Sequence, residues 1–343
     1  MLSAAQHEAV TSEAARPLQI LAGPGSGKTR VLTSRVAHLV RDSAAPIAPE
    51  RCVVVTFTNR AANEMRARLE TMIGADRTRR LVLGTFHAVC VRFLRRWGTR
   101  LGLDPRFTIA DTDDARRLLR DVDRDAPVDA TLAAISRAKA HGWTPDELRA
   151  SAQHAPGSPA HTEHLALCRT YAAYQQQLRT SHALDFDDLL LLGVRLFREH
   201  PELTTHIDHV LVDEFQDTNA VQYELLRRLS RHVSVVGDPD QSIYSWRHAD
   251  VRHIERMHLD FPGLHRVLLE ENYRSTPQIL EAALRVMQQD PHRLPKGLYT
   301  ALASGPPVSV VGCHGAGGAA RVVGRGVRPP ARPPPGAGVR GRR

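Results

Sequence analysis

Residues 18–42 read LQILAGPGSGKTRVLTSRVAHLVRD, and their order decides the fold. A short apolar run, a turn crowded with glycine and then apolar residues at helical spacing make strand, loop, helix. Within the turn, AGPGSGKT (22–29) approaches the phosphate-binding pattern of Gly, four residues, then Gly-Lys-Ser/Thr. Ala22 stands where the strict pattern has Gly, while Gly23, Gly25 and Gly27, with Pro24 and Ser26 between them, supply the turn. Small residues let successive backbone N–H groups wrap phosphate oxygens, and a helix starting near Lys28 points its positive end at them. Lys28 is expected to reach the β- and γ-phosphates of ATP, and Thr29 to ligate Mg2+. A Gly-rich turn without function is the competing reading, and the flanking strand and helix weigh against it.

The same alternation continues outward. CVVVTF (52–57) precedes the helical NRAANEMRARLETMIG, and LVLGTF (81–86) precedes HAVCVRFLRRWG. Strand, loop and helix in repetition imply a parallel sheet covered by helices. From about Asp104 to Pro201 the pattern is helical with no convincing strand, punctuated by Pro127, Pro145 and APGSPA (155–160). Strand-like runs resume at HVLVDEF (209–215) and VSVVGD (233–238). An α/β sheet interrupted by a helical insertion is the simplest arrangement. A third section opens near Leu264 with HRVLLEENYRS and reads as the beginning of another domain.

Two further stretches carry chemistry. LVDEFQD (211–217) is an apolar strand ending in adjacent carboxylates. Asp213 is suited to hold Mg2+ through water, and Glu214 to take a proton from the attacking water. Acids at strand ends also serve as helix caps, so the pair draws its meaning from the phosphate loop upstream. VVGDPDQSIYSWRHAD (235–250) again sets polar groups after a strand, where open α/β sheets bind ligands. Gln241 is suited to sensing a γ-phosphate or its water. Tyr244, Trp246 and Arg247 gather two aromatics and a guanidinium in a chain only 5% aromatic, and bases of single strands stack on such side chains. Trp246 as plain core is the alternative.

Together these motifs resemble the UvrD/Rep family of superfamily 1 DNA helicases over nearly all of residues 2–300. LSAAQHEAV is similar to the family's Q motif, which implies that Gln6 reads the adenine edge; Arg30 occupies the position that packs on the base. TFTNRAANEMRARL (56–69) and GTFHAVCVRFLR (84–95) resemble its strand-binding motifs, implying DNA contacts from Phe57, Asn59, Thr85 and His87. DFDDLL (185–190) matches a short family element just ahead of the acidic strand HVLVDEF (209–215). LEENYRS (269–275) matches the motif opening the second motor domain, where Tyr273 would stack on adenine and Arg274 reach the γ-phosphate.

The resemblance implies a RecA-like P-loop NTPase motor domain with a parallel sheet, from residues 1–105 and 200–262. It also implies a helical accessory insertion at 106–199 and the start of a second RecA-like domain at 263–315. The expected function is an ATP-dependent DNA helicase of 3′-to-5′ polarity with an ATPase stimulated by single-stranded DNA. Its cofactors would be ATP and Mg2+, its partners single strands and duplex junctions, and its place the cytoplasm, with the nucleoid. The alternatives are a non-catalytic ATP- and DNA-binding remnant and the helicase module of a RecB-like nuclease complex. A P-loop kinase offers no reason for the motifs of Phe57, Thr85 and Trp246.

Two departures stand out. His248 follows the Trp-Arg pair where the family usually has Gly. The family's later motifs, TxHxxKGLE-like and YVAxTRA-like, are not found, so a copy shortened in its second motor domain with impaired activity is expected. KGLY (296–299) fits the family's RxxKxLxT element instead, through Arg293, Lys296, Leu298 and Thr300.

Charge and composition add bounds. The net charge is +9, of which residues 1–100 carry +9 and the tail from Arg321 carries +7, leaving −7 between them. A basic N-terminal block attracts phosphate backbones, although a solvated face is the commoner meaning of such a run. The tail at 316–343, ending RVVGRGVRPPARPPPGAGVRGRR, has no hydrophobic periodicity and is expected to be disordered, a product of out-of-frame translation or truncation in preference to the alternative of a basic nucleic-acid arm. Cys52, Cys90, Cys168 and Cys313 are scattered, which argues for a reducing compartment. No signal peptide or membrane-length apolar run is read. HTEH (161–164) and HIDH (206–209) lack the company of a metal site.

Overall fold

The computed structural model describes residues 1–151, 157–244, 248–289, 293 and 296–309. Six strands form one wholly parallel sheet: β1 (Leu18–Ala22), β2 (Cys52–Thr56), β3 (Val82–Thr85), β6 (His209–Val212), β7 (Val233–Gly237) and β8 (His265–Leu269). Their spatial order is β3-β2-β6-β7-β1-β8. β1, β2, β6 and β7 are buried at every residue. That is why they read as continuous apolar runs instead of alternating ones. Helices Ala4–Thr11, Lys28–Ala37 and Asn59–Ile73 cover one face around Ile20, Val54, Met65 and Leu211. Helices Phe86–Trp97, Phe186–Glu199 and Ala220–Leu229 cover the other around Val55, Phe93, Leu189 and Leu225.

The fold class is therefore the expected α/β arrangement, with two differences of detail. The helical stretch contains a two-residue parallel ladder, β4 (Thr108–Ile109) against β5 (Ala183–Leu184). Two residues are too few to leave a period in the sequence. The run HRVLL, read as opening another domain, is the sheet's sixth strand, β8, paired with β1 from Leu18↔His265 to Ala22↔Leu269. Only Val267 and Leu269 of β8 are buried, as suits an edge strand. The basic tail lies outside the described residues.

A separate core (Leu119, Ile135, Leu148, Tyr171, Tyr174, Leu178) holds the helices between β3 and β6 together. It surrounds a buried charge cluster that accounts for DFDDLL. Lys139 Nζ lies 2.6 Å from Asp185 Oδ2 and 2.8 Å from Asp188 Oδ1. The Tyr174 hydroxyl donates to Asp185 at 3.1 Å, and the Gln175 amide to Asp188 at 3.0 Å. Asp185 also caps the helix Phe186–Glu199, in a reciprocal box with Asp188. The motif's two buried acids thus fasten three helices through one ammonium group. Because deleting one member of a buried pair strands its partners' charge, Lys139→Met is expected to cost about 3–5 kcal/mol, read by urea unfolding. Adding Asp185→Asn and Asp188→Asn should recover part of the loss; a single variant as stable as the parent would refute the assignment.

Candidate nucleotide and DNA site

Because the strands are parallel, their C-terminal ends deliver the motifs that follow them to one edge of the sheet. β1 runs into the phosphate loop. Gly25 (φ 68°) and Gly27 (φ 85°) sit in the left-handed region, which only glycine enters without strain. Gly27 caps the helix Lys28–Ala37, and a Cβ there would stand 3.1 Å from Gln6 Nε2. Ser26 Oγ donates to the Gly23 carbonyl at 2.7 Å and closes the turn.

β6 ends at Asp213 and Glu214. Asp213 is buried, and its carboxyl is pushed up to about 7 by burial and by the adjacent Glu214 charge. Glu214 has φ 49°, an uncommon conformation for a non-glycine residue that turns its carboxylate toward the loop. Its Oε2 lies 3.5 Å from Lys28 Nζ. Lys28 and Arg68 both favour the charged form of Asp213, but burial and Glu214 outweigh them. Among the described residues no group of three His, Cys, Asp or Glu side chains gathers as a metal site. Mg2+ bound with nucleotide, however, takes one or two protein ligands and completes its shell with phosphate and water. The donor set of Asp213 and Thr29 fits that use.

β7 ends in Gly237 and leads to Asp238 and Gln241, whose amide donates to Asp238 Oδ2. One residue absent from the sequence-derived set joins the two acidic strands. Gln216 Nε2 donates to Glu214 Oε2 at 2.9 Å, and its Oε1 accepts from the Asp238 amide at 3.0 Å. Its only signal was its place two residues after the acidic pair.

β8 brings LEENYRS onto the phosphate loop. Asn272 Nδ2 donates to Pro24 O at 2.6 Å, and the Tyr273 amide to Gly25 O at 3.0 Å. A Cβ on Gly25 would stand 2.7 Å from Arg274 Cβ, so that arginine sits against the loop. On the far side of Ser26 a cavity of about 230 Å³ lies between Gln6, Glu271, Tyr273 and Tyr299. Gln6 spends its amide on Ser26 O at 2.9 Å and on the Ser3 N–H at 3.1 Å, in the capping box of helix Ala4–Thr11. Arg30 does not line this cavity; its guanidinium donates to Met1 O at 3.0 Å. Tyr299, 55% exposed, was not singled out from the sequence.

The DNA candidates occupy the other half of the edge. Phe57 and Asn59 follow β2, and Thr85 and His87 follow β3. Tyr244 reaches across from the loop after β7, its ring 5.1 Å from that of Phe57. Asn59 is exposed at the start of its helix, while Thr85 caps the helix Phe86–Trp97. The His87 ring meets the edge of Phe186, a half-exposed aromatic that the sequence reading passed over. Burial holds the His87 imidazole below its usual range. Trp246 and Arg247 lie outside the described residues. His248 has φ 64°, which explains a preference for Gly at that position.

Comparison with known proteins agrees with this layout. The family model described as the UvrD/REP helicase N-terminal domain matches residues 2–262. The chain is 42% identical to the ATP-dependent DNA helicase PcrA of Leuconostoc citreum over 307 residues, 85% of this chain and 40% of that protein. It is 39% identical to PcrA of Staphylococcus epidermidis over 322 residues, 90% of this chain and 42% of the relative. For PcrA of Staphylococcus aureus (strain Mu50) the figures are 40% over 318 residues, 88% and 42%. The chain thus spans about two fifths of the length of the curated relatives it matches. With a domain match over well more than half its residues, the chain belongs to the UvrD/REP helicase family.

Proposed function

We propose that this chain binds ATP with Mg2+ at the phosphate loop and single-stranded DNA on the neighbouring half of the same sheet edge. It would serve as the first motor domain, with its helical insertion, of a 3′-to-5′ DNA helicase. The observation that carries the reading is the placement of Lys28 3.5 Å from Glu214 beside the buried Asp213. The relatives' printed name, ATP-dependent DNA helicase, supports the choice of nucleotide and of DNA. We assign residues 1–105 and 200–262, with β8 as the sheet's sixth strand, to the motor domain, 106–199 to the insertion, and the segment after β8, to 315, to the start of a second motor domain. Work on DNA within the cytoplasm follows from that function.

In this reading Mg2+ supplies charge to the β- and γ-phosphates when nucleotide binds. Lys28 neutralises the same oxygens, Thr29 and Asp213 hold the cation, and Glu214 orients water. Gln241 faces the γ-phosphate, and Arg274 approaches it from the segment after β8. Gln6, Tyr273 and Arg30 enclose the base, the last after leaving Met1. Phe57, Asn59, Thr85, His87 and Tyr244 face DNA, along with Trp246 and Arg247. An arginine at the γ-phosphate is worth about 10³–10⁵ in rate. Among the described residues Arg274 is the candidate for that place, and Arg274→Ala is expected to slow hydrolysis. The alternative reading is a non-catalytic ATP- and DNA-binding protein. A strand-displacement assay on a duplex with a 3′ overhang separates the two.

ATP affinity should depend on Mg2+, weaken on chelation, and fall by roughly tenfold or more in Lys28→Ala, as for loss of a charged hydrogen bond. Titration of a fluorescent ATP analogue checks this; equal binding by parent and variant sinks the site. Separately, Phe57→Ala and Tyr244→Ala should each weaken binding of a single-stranded oligonucleotide by about 1–3 kcal/mol, the worth of one stacked base. Fluorescence anisotropy reads it, with ATP affinity unchanged as the internal control.

A further inference from the structure

Lys296 comes from a segment that the proposed function leaves without a task, yet its side chain is 1% exposed. Its ammonium group contacts Asp238 Oδ1, and Asp240 Oδ2 at 3.2 Å. Arg293, from the same segment, donates to Asp240 Oδ2 at 3.0 Å. A buried ion cluster of this kind is weak evidence for stability, since desolvation offsets its attraction. What matters is what else Asp238 holds. Its other carboxylate oxygen accepts from the Gln241 amide, and its backbone N–H donates to Gln216, which donates in turn to Glu214. Glu214 then faces Lys28. A series of polar contacts through Asp238 therefore runs from Lys296 to Gln241 and to Glu214, two of the groups assigned to the γ-phosphate end.

The same segment touches the site twice more. A Cβ on Gly23 would stand 2.3 Å from Leu298 Cδ2, so Leu298 lies directly on the phosphate loop. Tyr299 lines the base-side cavity, and its backbone is tied to β8's extension: Asn272 N donates to Tyr299 O at 2.7 Å, and Tyr299 N to Glu270 O at 3.1 Å. Residues 296–299 thus span the nucleotide site from its phosphate end to its base end.

We infer that Lys296 is a positioning residue: by holding Asp238 it orients the Gln241 amide and keeps Gln216 on Glu214, so that the segment after the sheet sets the geometry read by the γ-phosphate. The inference deepens the proposed function and rests on it for the ligand, but the linkage itself exists without nucleotide. Lys296→Met removes the ammonium group and keeps the length of the side chain. Hydrogen exchange on the nucleotide-free chain should then rise at 214–217 and 238–241. Asp240→Asn, which weakens the second contact of Lys296 and leaves Asp238 in place, should show a smaller rise and serves as the folded comparison. In nucleotide titrations the preference for a non-hydrolysable ATP analogue over ADP should drop about tenfold in Lys296→Met, with ADP affinity unchanged. A merely structural lysine would lower both affinities together, and that result overturns the inference. So does exchange that rises only at 296–300. If the parent chain binds neither nucleotide, the proposed function fails, while the exchange at 214–217 and 238–241 still decides the linkage.

Discussion

Two carboxylates at the end of one buried strand, with a single lysine for company, set the requirements for everything around them. Asp213 is buried by β6 and its neighbours, and Glu214 beside it raises the cost of ionising it. Lys28, 3.5 Å from Glu214, and Arg68 favour ionisation of Asp213 without outweighing burial and the Glu214 charge. Such a site is unfavourable unless positive charge arrives, and a divalent cation carried by a polyphosphate brings it. The loop opposite has the turn that bound phosphates would need, because Gly25 and Gly27 take a backbone conformation that other residues enter only with strain. The charge deficit and the glycine turn are thus complementary halves of one requirement, supplied by strands far apart in sequence.

Sheet order then divides the labour. β6, β7, β1 and β8 are consecutive neighbours and bring the acids, Gln241, the phosphate loop and Arg274 to one half of the edge. β3 and β2 lie beyond β6 and bring Thr85 and Phe57 to the other half. The Phe57–Tyr244 ring contact crosses between them, since Tyr244 leaves from β7 and Phe57 from β2. Tyr244 and Gln241 are three residues apart on one loop. A shift of that loop at Gln241 would therefore be felt at Tyr244 as well, a short covalent route between the two halves.

The strands, the phosphate loop and the acidic pair were legible because each is local: a buried parallel strand is a run of apolar residues, and a phosphate loop is a spacing of glycines. β8 was misplaced in the sequence reading because its buried residues alternate, as at an edge, and because LEENYRS drew it toward the segment that follows. Lys139 with Asp185 and Asp188, and Lys296 with Asp238, were not legible at all. In each case a lone lysine meets acids some fifty residues away, and no local pattern marks a lysine as buried. Gln216 is the same case at short range, since a glutamine after two acids says nothing of the strand it will bridge to.

His248 shows how a departure from a family pattern can be absorbed. A left-handed conformation costs a side-chain-bearing residue about 1–2 kcal/mol, and His248 adopts it where glycine would do so freely. Its ring lies 5.8 Å from that of His141, which stacks at 5.0 Å on Trp143. Trp143 is in turn fixed through its carbonyl, which accepts from the buried Tyr171 hydroxyl at 3.0 Å. The histidine thus finds packing partners in the helical insertion that a glycine would lack, and burial among them holds its imidazole below the usual range. The consequence is a direct ring contact between the insertion and the loop that carries Gln241 and Tyr244. In this chain the loop is held from both sides, by Phe57 on the sheet and by the insertion beyond it.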